Sequence, residues 1–174
     1  RALISTQIEH LKHWYPVKNA EKQTAPPLLH IPASRNDLRD LLRSETDFPL
    51  VKEDLVLDIL DVYTSDYYED CAYLLSVADL QYTLSSEIFQ TQNIPSELMY
   101  LALVKSGMNP EFTSSAGALG TWQFMYSTGR LYKLRIDEYV DERREISRSS
   151  QAAAQMLHDL YRLYKDWPLE ITAY

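Results

Sequence analysis

Apolar positions in this chain recur three and four residues apart almost from end to end, and strand-like alternation is hard to find. Residues 3–14 form a short amphipathic pattern that ends before Pro16. Lys18 to Ala33, with Pro26, Pro27 and Pro32, reads as a linker or extended loop. Ser34 is placed to cap a helix from Asn36 to about Ser44. Pro49 precedes another from about Val51 to Tyr63, with Leu55, Ile59 and Val62 at helical spacing, and a tyrosine- and leucine-rich helix is expected from about Asp66 to Thr91. Pro95 starts an apolar helix that Asn109-Pro110 ends or turns. Ser96 is its candidate cap, without a capping box because the residue three further on is Met99. Thr113 to Gly120 is a small-residue loop, and Thr121 to about Tyr132 is expected to be helical. Ser147 to Lys165 is a strong helix packing Ala152, Ala153, Met156, Leu157, Leu160 and Leu163. Trp167-Pro168 breaks the pattern, and a last helix begins near Leu169. The pattern predicts an all-α protein, with a helical extension and Pro-rich loop over 1–50 and one helical domain over 51–174.

One residue disturbs the pattern. Leu98, Leu101, Ala102 and Lys105 stand at i, i+3, i+4 and i+7, so a charge continues an apolar stripe. Such a charge is expensive unless it is paired or opens into a cleft. Taken alone, Lys105 would be a cation favoured at a helix C-terminus by roughly 0.3–1 kcal/mol. The small-residue segment Ser114-Ser115-Ala116-Gly117-Ala118-Leu119-Gly120-Thr121-Trp122-Gln123-Phe124-Met125 sharpens the cleft reading.

Composition narrows the classes. The 174 residues, 45% of them hydrophobic, suit one globular domain with an extension. A net charge of −8 argues against a general nucleic-acid or anionic-membrane surface, yet leaves a neutral glycan open. No apolar run reaches the roughly 18 residues of a membrane span. The single cysteine, Cys71, excludes an internal disulfide and reads as a buried structural thiol. His10, His13, His30 and His158 are scattered and make no metal site. Most of the thirteen tyrosines sit between aliphatics as half-buried packing, whereas Trp122 and Tyr126 flank the loop. The chain opens on Arg1 in mid-pattern and stops at Tyr174 inside a helix, so a fragment of a longer protein, truncated at its C-terminus, is expected.

Val104-Lys105-Ser106-Gly107-Met108-Asn109-Pro110 followed by Ser115-Ala116-Gly117-Ala118-Leu119-Gly120-Thr121-Trp122-Gln123-Phe124-Met125 resembles the goose-type-lysozyme-like lytic transglycosylases, most closely the membrane-bound lytic murein transglycosylase D type. The likeness continues through Thr128-Gly129-Arg130-Leu131-Tyr132, Val140-Asp141-Glu142-Arg143-Arg144 and Ala173-Tyr174, and covers roughly residues 56–174. It implies a lysozyme-like fold, with Ser114 or Ser115, Gln123, Met125, Tyr126 and Tyr174 lining a glycan cleft. It also implies peptidoglycan glycan strands and cell-envelope proteins as partners. The implied location is the periplasm or outer-membrane-associated envelope of a Gram-negative bacterium. No cofactor or metal is implied. Tyr126 and Lys133 depart from the family, which usually has proline and glycine there.

As the resemblance implies, the family cleaves the bond between N-acetylmuramic acid and N-acetylglucosamine with one carboxylic acid. That acid protonates the glycosidic oxygen, and its conjugate base assists the muramoyl 6-hydroxyl in forming a 1,6-anhydro product. The acid's position here is Lys105. An ammonium has an unperturbed pKa of about 10.4 against about 4.3 for glutamate, and it cannot stabilise an oxocarbenium-like transition state. Glu97 and Glu111 are too far along the chain to replace it. A catalytically inactive, peptidoglycan-binding domain is the expectation. The alternatives are an active transglycosylase whose acid is rescued or whose Lys105 is engineered, and a protein-interaction scaffold.

Overall fold

The computed structural model describes residues 36–37, 39–40, 53–65 and 67–174. The expected helix over 3–14, the loop over 18–33, the Ser34 cap, and His10, His13 and His30 lie outside the described residues. Of the helix expected from Asn36, residues 36, 37, 39 and 40 are helical. The chain divides into two compact units, Arg1–Leu75 and Ser76–Tyr174.

In the first unit, α1 spans Glu53–Ser65. It buries Leu57 and Val62, while Leu55, expected on the packed side, is exposed. Helix α2, Tyr68–Thr91, begins here with two acids in its first turn, where they complement the helix dipole. Cys71 is half-buried rather than buried. Burial, with the negative charge of Asp70 adding to it, pushes its thiol up to about 11.

In the second unit, the last turns of α2 bury Ala78, Ser85, Ser86 and Phe89. The helix stops where Asn93 enters the left-handed region at φ 55°, and Ile94 folds back to donate its N–H to the Phe89 carbonyl. A 3-10 turn, Ser96–Met99, then leads into α3, Tyr100–Ser106. The sequence pattern predicts a cap at Ser96. Pro95 holds the cap position instead, no side chain caps the turn, and Leu98 and Met99 anchor it by burial. Helix α3 ends at Gly107, whose φ of 62° is a left-handed cap, two residues ahead of Asn109-Pro110.

The helix expected from Thr121 starts only at Tyr126, as α4 over Tyr126–Leu131. The reason is a competing backbone pairing within the loop. Leu119 bridges Thr113 on one side and Phe124 on the other, so the backbone before α4 is committed to the loop. Helix α5, Ile146–Tyr164, is capped by the Glu145 carboxylate, which accepts from the backbone N–H groups of Ser147 and Arg148. It buries Ala152, Ala153 and Leu157 as expected, together with Ser149, Ser150 and Ala154, but Leu163 is exposed.

Helix α6, Trp167–Ala173, is capped by Asp166, so Trp167-Pro168 begins a helix rather than breaking one. It packs on α5, with the Trp167 ring stacked on Tyr161 at a centroid separation of 4.1 Å. Among the described residues the only strand-like pairings are isolated bridges, so the fold is all-α. None of the described helices is long and apolar enough to cross a membrane.

Candidate functional site

The C-terminal end of α3 is fixed by its last residue, Ser106, rather than by Lys105. Ser106 is fully buried, and its hydroxyl lies 2.7 Å from the Thr121 carbonyl and 3.0 Å from that of Ala102. This joins the helix end to the loop. Trp122, next along, is 1% exposed. Its indole N–H donates to the Ser150 hydroxyl at 2.8 Å, and its ring lies 5.3 Å from Phe89. In the sequence, Trp122 flanks the loop as a candidate site residue. The structure makes it the pillar under the loop, with no face free for a ligand.

The loop is shaped from below. Gly120 has φ 83°, and a Cβ there would meet the Arg143 carbonyl oxygen at 1.9 Å. Only glycine fits that approach. Arg143 is itself held by Asp141, at 2.6 Å through Nη2, and reaches the Phe124 carbonyl at 3.2 Å. The guanidinium keeps the Asp141 carboxyl below the ordinary range.

Helix α6 brings Tyr174 to this loop. Its hydroxyl donates to the Trp122 carbonyl at 3.1 Å, and its ring meets Trp122 edge-on. Burial holds the phenol well above its usual pKa, so it is a hydrogen-bond donor at every physiological pH. The Lys105 ammonium lies 4.8 Å from the centre of the Tyr174 ring, within cation–π range. Lys105 is half-buried, and that burial lowers its pKa. Among the described residues no carboxylate pairs with it. Glu111 is exposed and engaged by Arg144, and Glu97 is exposed.

The other expected site residues divide. The Gln123 amide donates both to Gly120 at 2.8 Å and to Phe112 at 3.1 Å, both backbone carbonyls, which leaves its side-chain oxygen as an acceptor only. Ser114 accepts from the Ala118 N–H and staples the loop, while Ser115 is exposed at its tip. Met125 and Tyr126 are exposed where α4 begins, and the Arg143 guanidinium lies 6.0 Å from the Tyr126 ring. The contacts therefore join Lys105, Tyr174 and the Trp122 turn directly, and the remaining residues sit around the same loop.

Residues 85–174, just over half of the chain, match the transglycosylase SLT domain. The chain belongs to that family. It is 34% identical over 113 residues to membrane-bound lytic murein transglycosylase D of Escherichia coli strain K12, and equally to that of strain CFT073. Each alignment covers 62% of this chain and 25% of the relative, so the chain spans about a quarter of their length. A putative tributyltin chloride resistance protein of an Alteromonas species is 28% identical over 93 residues, covering 53% of this chain and 44% of the relative. The expected lysozyme-like all-α domain is thus the one present.

One SLT-domain residue escaped the sequence reading. Glu170 is completely buried on α6, and neither carboxyl oxygen has a hydrogen-bond partner. Burial pushes it up to about 8. Its position one helical turn before Tyr174, hence on the same face, was the available signal.

Proposed function

We propose that this SLT domain binds peptidoglycan glycan strands in the cell envelope without cleaving them, because Lys105 occupies the place of the general acid. The observation behind this reading is the Lys105 environment: a half-buried ammonium against the Tyr174 ring, with no carboxylate paired to it among the described residues. The family reaction runs through a developing cation on the sugar. A positive group where a carboxylate is needed opposes that charge at short range. Burial makes Lys105 easier to deprotonate, but a neutral amine is not an acid for the leaving oxygen. What remains is a glycan cleft with an ammonium donor, the Gln123 oxygen as acceptor and exposed Met125 and Tyr126 as apolar walls.

The test is turbidity loss of purified sacculi, with the unmodified chain beside Lys105→Glu. The unmodified chain should leave the wall intact while sedimenting with it. Clearance by the unmodified chain at a rate that Lys105→Glu does not exceed would refute the inactivity. Absence of co-sedimentation would favour a protein-interaction scaffold instead.

A second reading rests on Glu170, a carboxyl kept protonated near neutral pH on the helix that carries Tyr174. If α6 shifted on glycan binding, that acid would serve the reaction. Clearance abolished by Glu170→Gln would carry this alternative.

A further inference from the structure

A groove of about 520 Å³ opens on the flank of α5, within the size range of small-ligand sites. Its walls include Gln92, Tyr132, Lys133, Arg148, Gln151 and Gln155, over a floor of Leu134 and Ala152. Lys105 is not among its lining residues. Arg148, Gln151 and Gln155 stand at i, i+3 and i+7 of α5 and so share one face.

The groove has more donors than acceptors to spend on a ligand. Glu142, the one acid lining it, already accepts the Arg135 N–H at 2.7 Å and lies 4.0 Å from the Arg148 Nε. Gln155 donates to Asp159 at 3.2 Å, and the Tyr132 hydroxyl bonds the same carboxylate. Asp159 is thereby taken as well. Among the described residues Lys133 has no carboxylate partner, and the Gln92 and Gln151 amides have no hydrogen-bond partner. The side chain of Lys133 is carried by a backbone in the left-handed region, φ 66°. Lys133 and Arg148 against Glu142 give the lining residues one net positive charge on a chain of net charge −8.

We infer that this groove binds the free carboxylate of a short peptide, with Lys133 and Arg148 taking the carboxylate and the carboxamides of Gln92 and Gln151 taking the peptide groups. A charged donor to a carboxylate is the strong hydrogen bond such a site offers, and carboxamides both donate to and accept from peptide bonds. The groove is sized for a few residues, not for a folded partner. The peptides that branch from murein strands fit that description, an assignment that rests on the peptidoglycan reading above.

The test titrates the whole 174-residue chain with the tripeptide L-Ala–γ-D-Glu–L-Lys, following backbone amide shifts. Saturable binding with a Kd below about 1 mM is expected, with shifts at Lys133, Arg148 and Gln151. Capping the carboxylates as amides should weaken it at least tenfold, as should the pair Lys133→Asn and Arg148→Gln. Asparagine is chosen because it tolerates the left-handed backbone. The double variant should keep an unchanged thermal melt and unchanged retention on glycan strands stripped of peptide. No saturation, or binding undiminished in the double variant, overturns the site. Equal or tighter binding of the all-L, α-linked tripeptide overturns the murein assignment and points to a protein segment. Peptide binding without retention on stripped strands leaves this site standing and removes the glycan reading instead.

Discussion

Replacing Glu170 with glutamine should change how the stability of this domain responds to pH. Glu170 is the only buried carboxyl among the described residues, and both of its oxygens lack partners. Burial raises it from an ordinary 4.5 to about 8 in the native state. Below pH 4.5 both native and unfolded chains hold the proton, and the native state has its full stability. Between pH 4.5 and 8 the unfolded chain releases the proton while the native chain keeps it, so stability falls as pH rises. Each pH unit is worth about 1.4 kcal/mol, which gives a loss on the order of 4–5 kcal/mol over the window. That is a large share of the 5–15 kcal/mol typical of a domain. Above pH 8 the native carboxyl ionises too and the slope ends. Glu170→Gln keeps the shape and removes the titration. Urea unfolding followed by circular dichroism at pH 5, 6, 7, 8 and 9, run for both proteins, isolates the difference and cancels the other titrating groups. The two should agree within about 1 kcal/mol at pH 5, and the variant should be more stable by several kcal/mol at pH 8. A difference that stays flat from pH 5 to 8 refutes the reasoning and means that the carboxyl finds a partner or water.

The remaining predictions concern single contacts. Gly120→Ala should cost ~3 kcal/mol or more, since its Cβ would meet the Arg143 carbonyl oxygen at 1.9 Å, whereas Gly117→Ala, with φ 86° and nothing within 4 Å, should cost ~1 kcal/mol; paired thermal melts compare them. Tyr174→Phe removes the hydroxyl bond to the Trp122 carbonyl and keeps the ring on Lys105, so a loss of roughly 0.5–1.5 kcal/mol in chemical denaturation is expected. At pH 7 the Cys71 thiol, pushed from 9.0 to about 11, should hold about a hundredfold less thiolate than an ordinary cysteine; alkylation in the native protein should be slower by that factor and recover in urea.

Where periodicity and local geometry agreed, the sequence was a good guide. The α5 stripe gave Ala152, Ala153 and Leu157 correctly because a long helix against a core has little choice of face. It failed at Leu163, whose position at the helix end lies beyond what the neighbouring elements cover. The turn from Thr121 to Met125 carries a helical pattern, but a short backbone pairing and one distant contact hold it out of the helix. Leu119 pairs with Phe124, and Arg143, nineteen residues on, takes the Phe124 carbonyl. The first pairing is local but too short to show strand alternation, and the Arg143 contact lies outside any window of a few turns. Lys105 stood out in the sequence because a charge interrupted an apolar stripe beside a distinctive loop. Glu170 did not, since a lone acid in a seven-residue helix ordinarily faces water. Trp122 was legible as important but not as buried, because its partners Phe89 and Ser150 come from α2 and α5.

The joint between α3 and the loop is made by the Ser106 hydroxyl and the Thr121 backbone, and Lys105 takes no part in it. Whatever side chain stands at position 105 inherits the same scaffold. Lysine and glutamate codons differ only at their first base, so a single transition exchanges an ammonium for a carboxylate without disturbing that joint. On the proposed reading of position 105, loss and recovery of acid chemistry are one mutational step apart, and the joint that frames the position is untouched by either change.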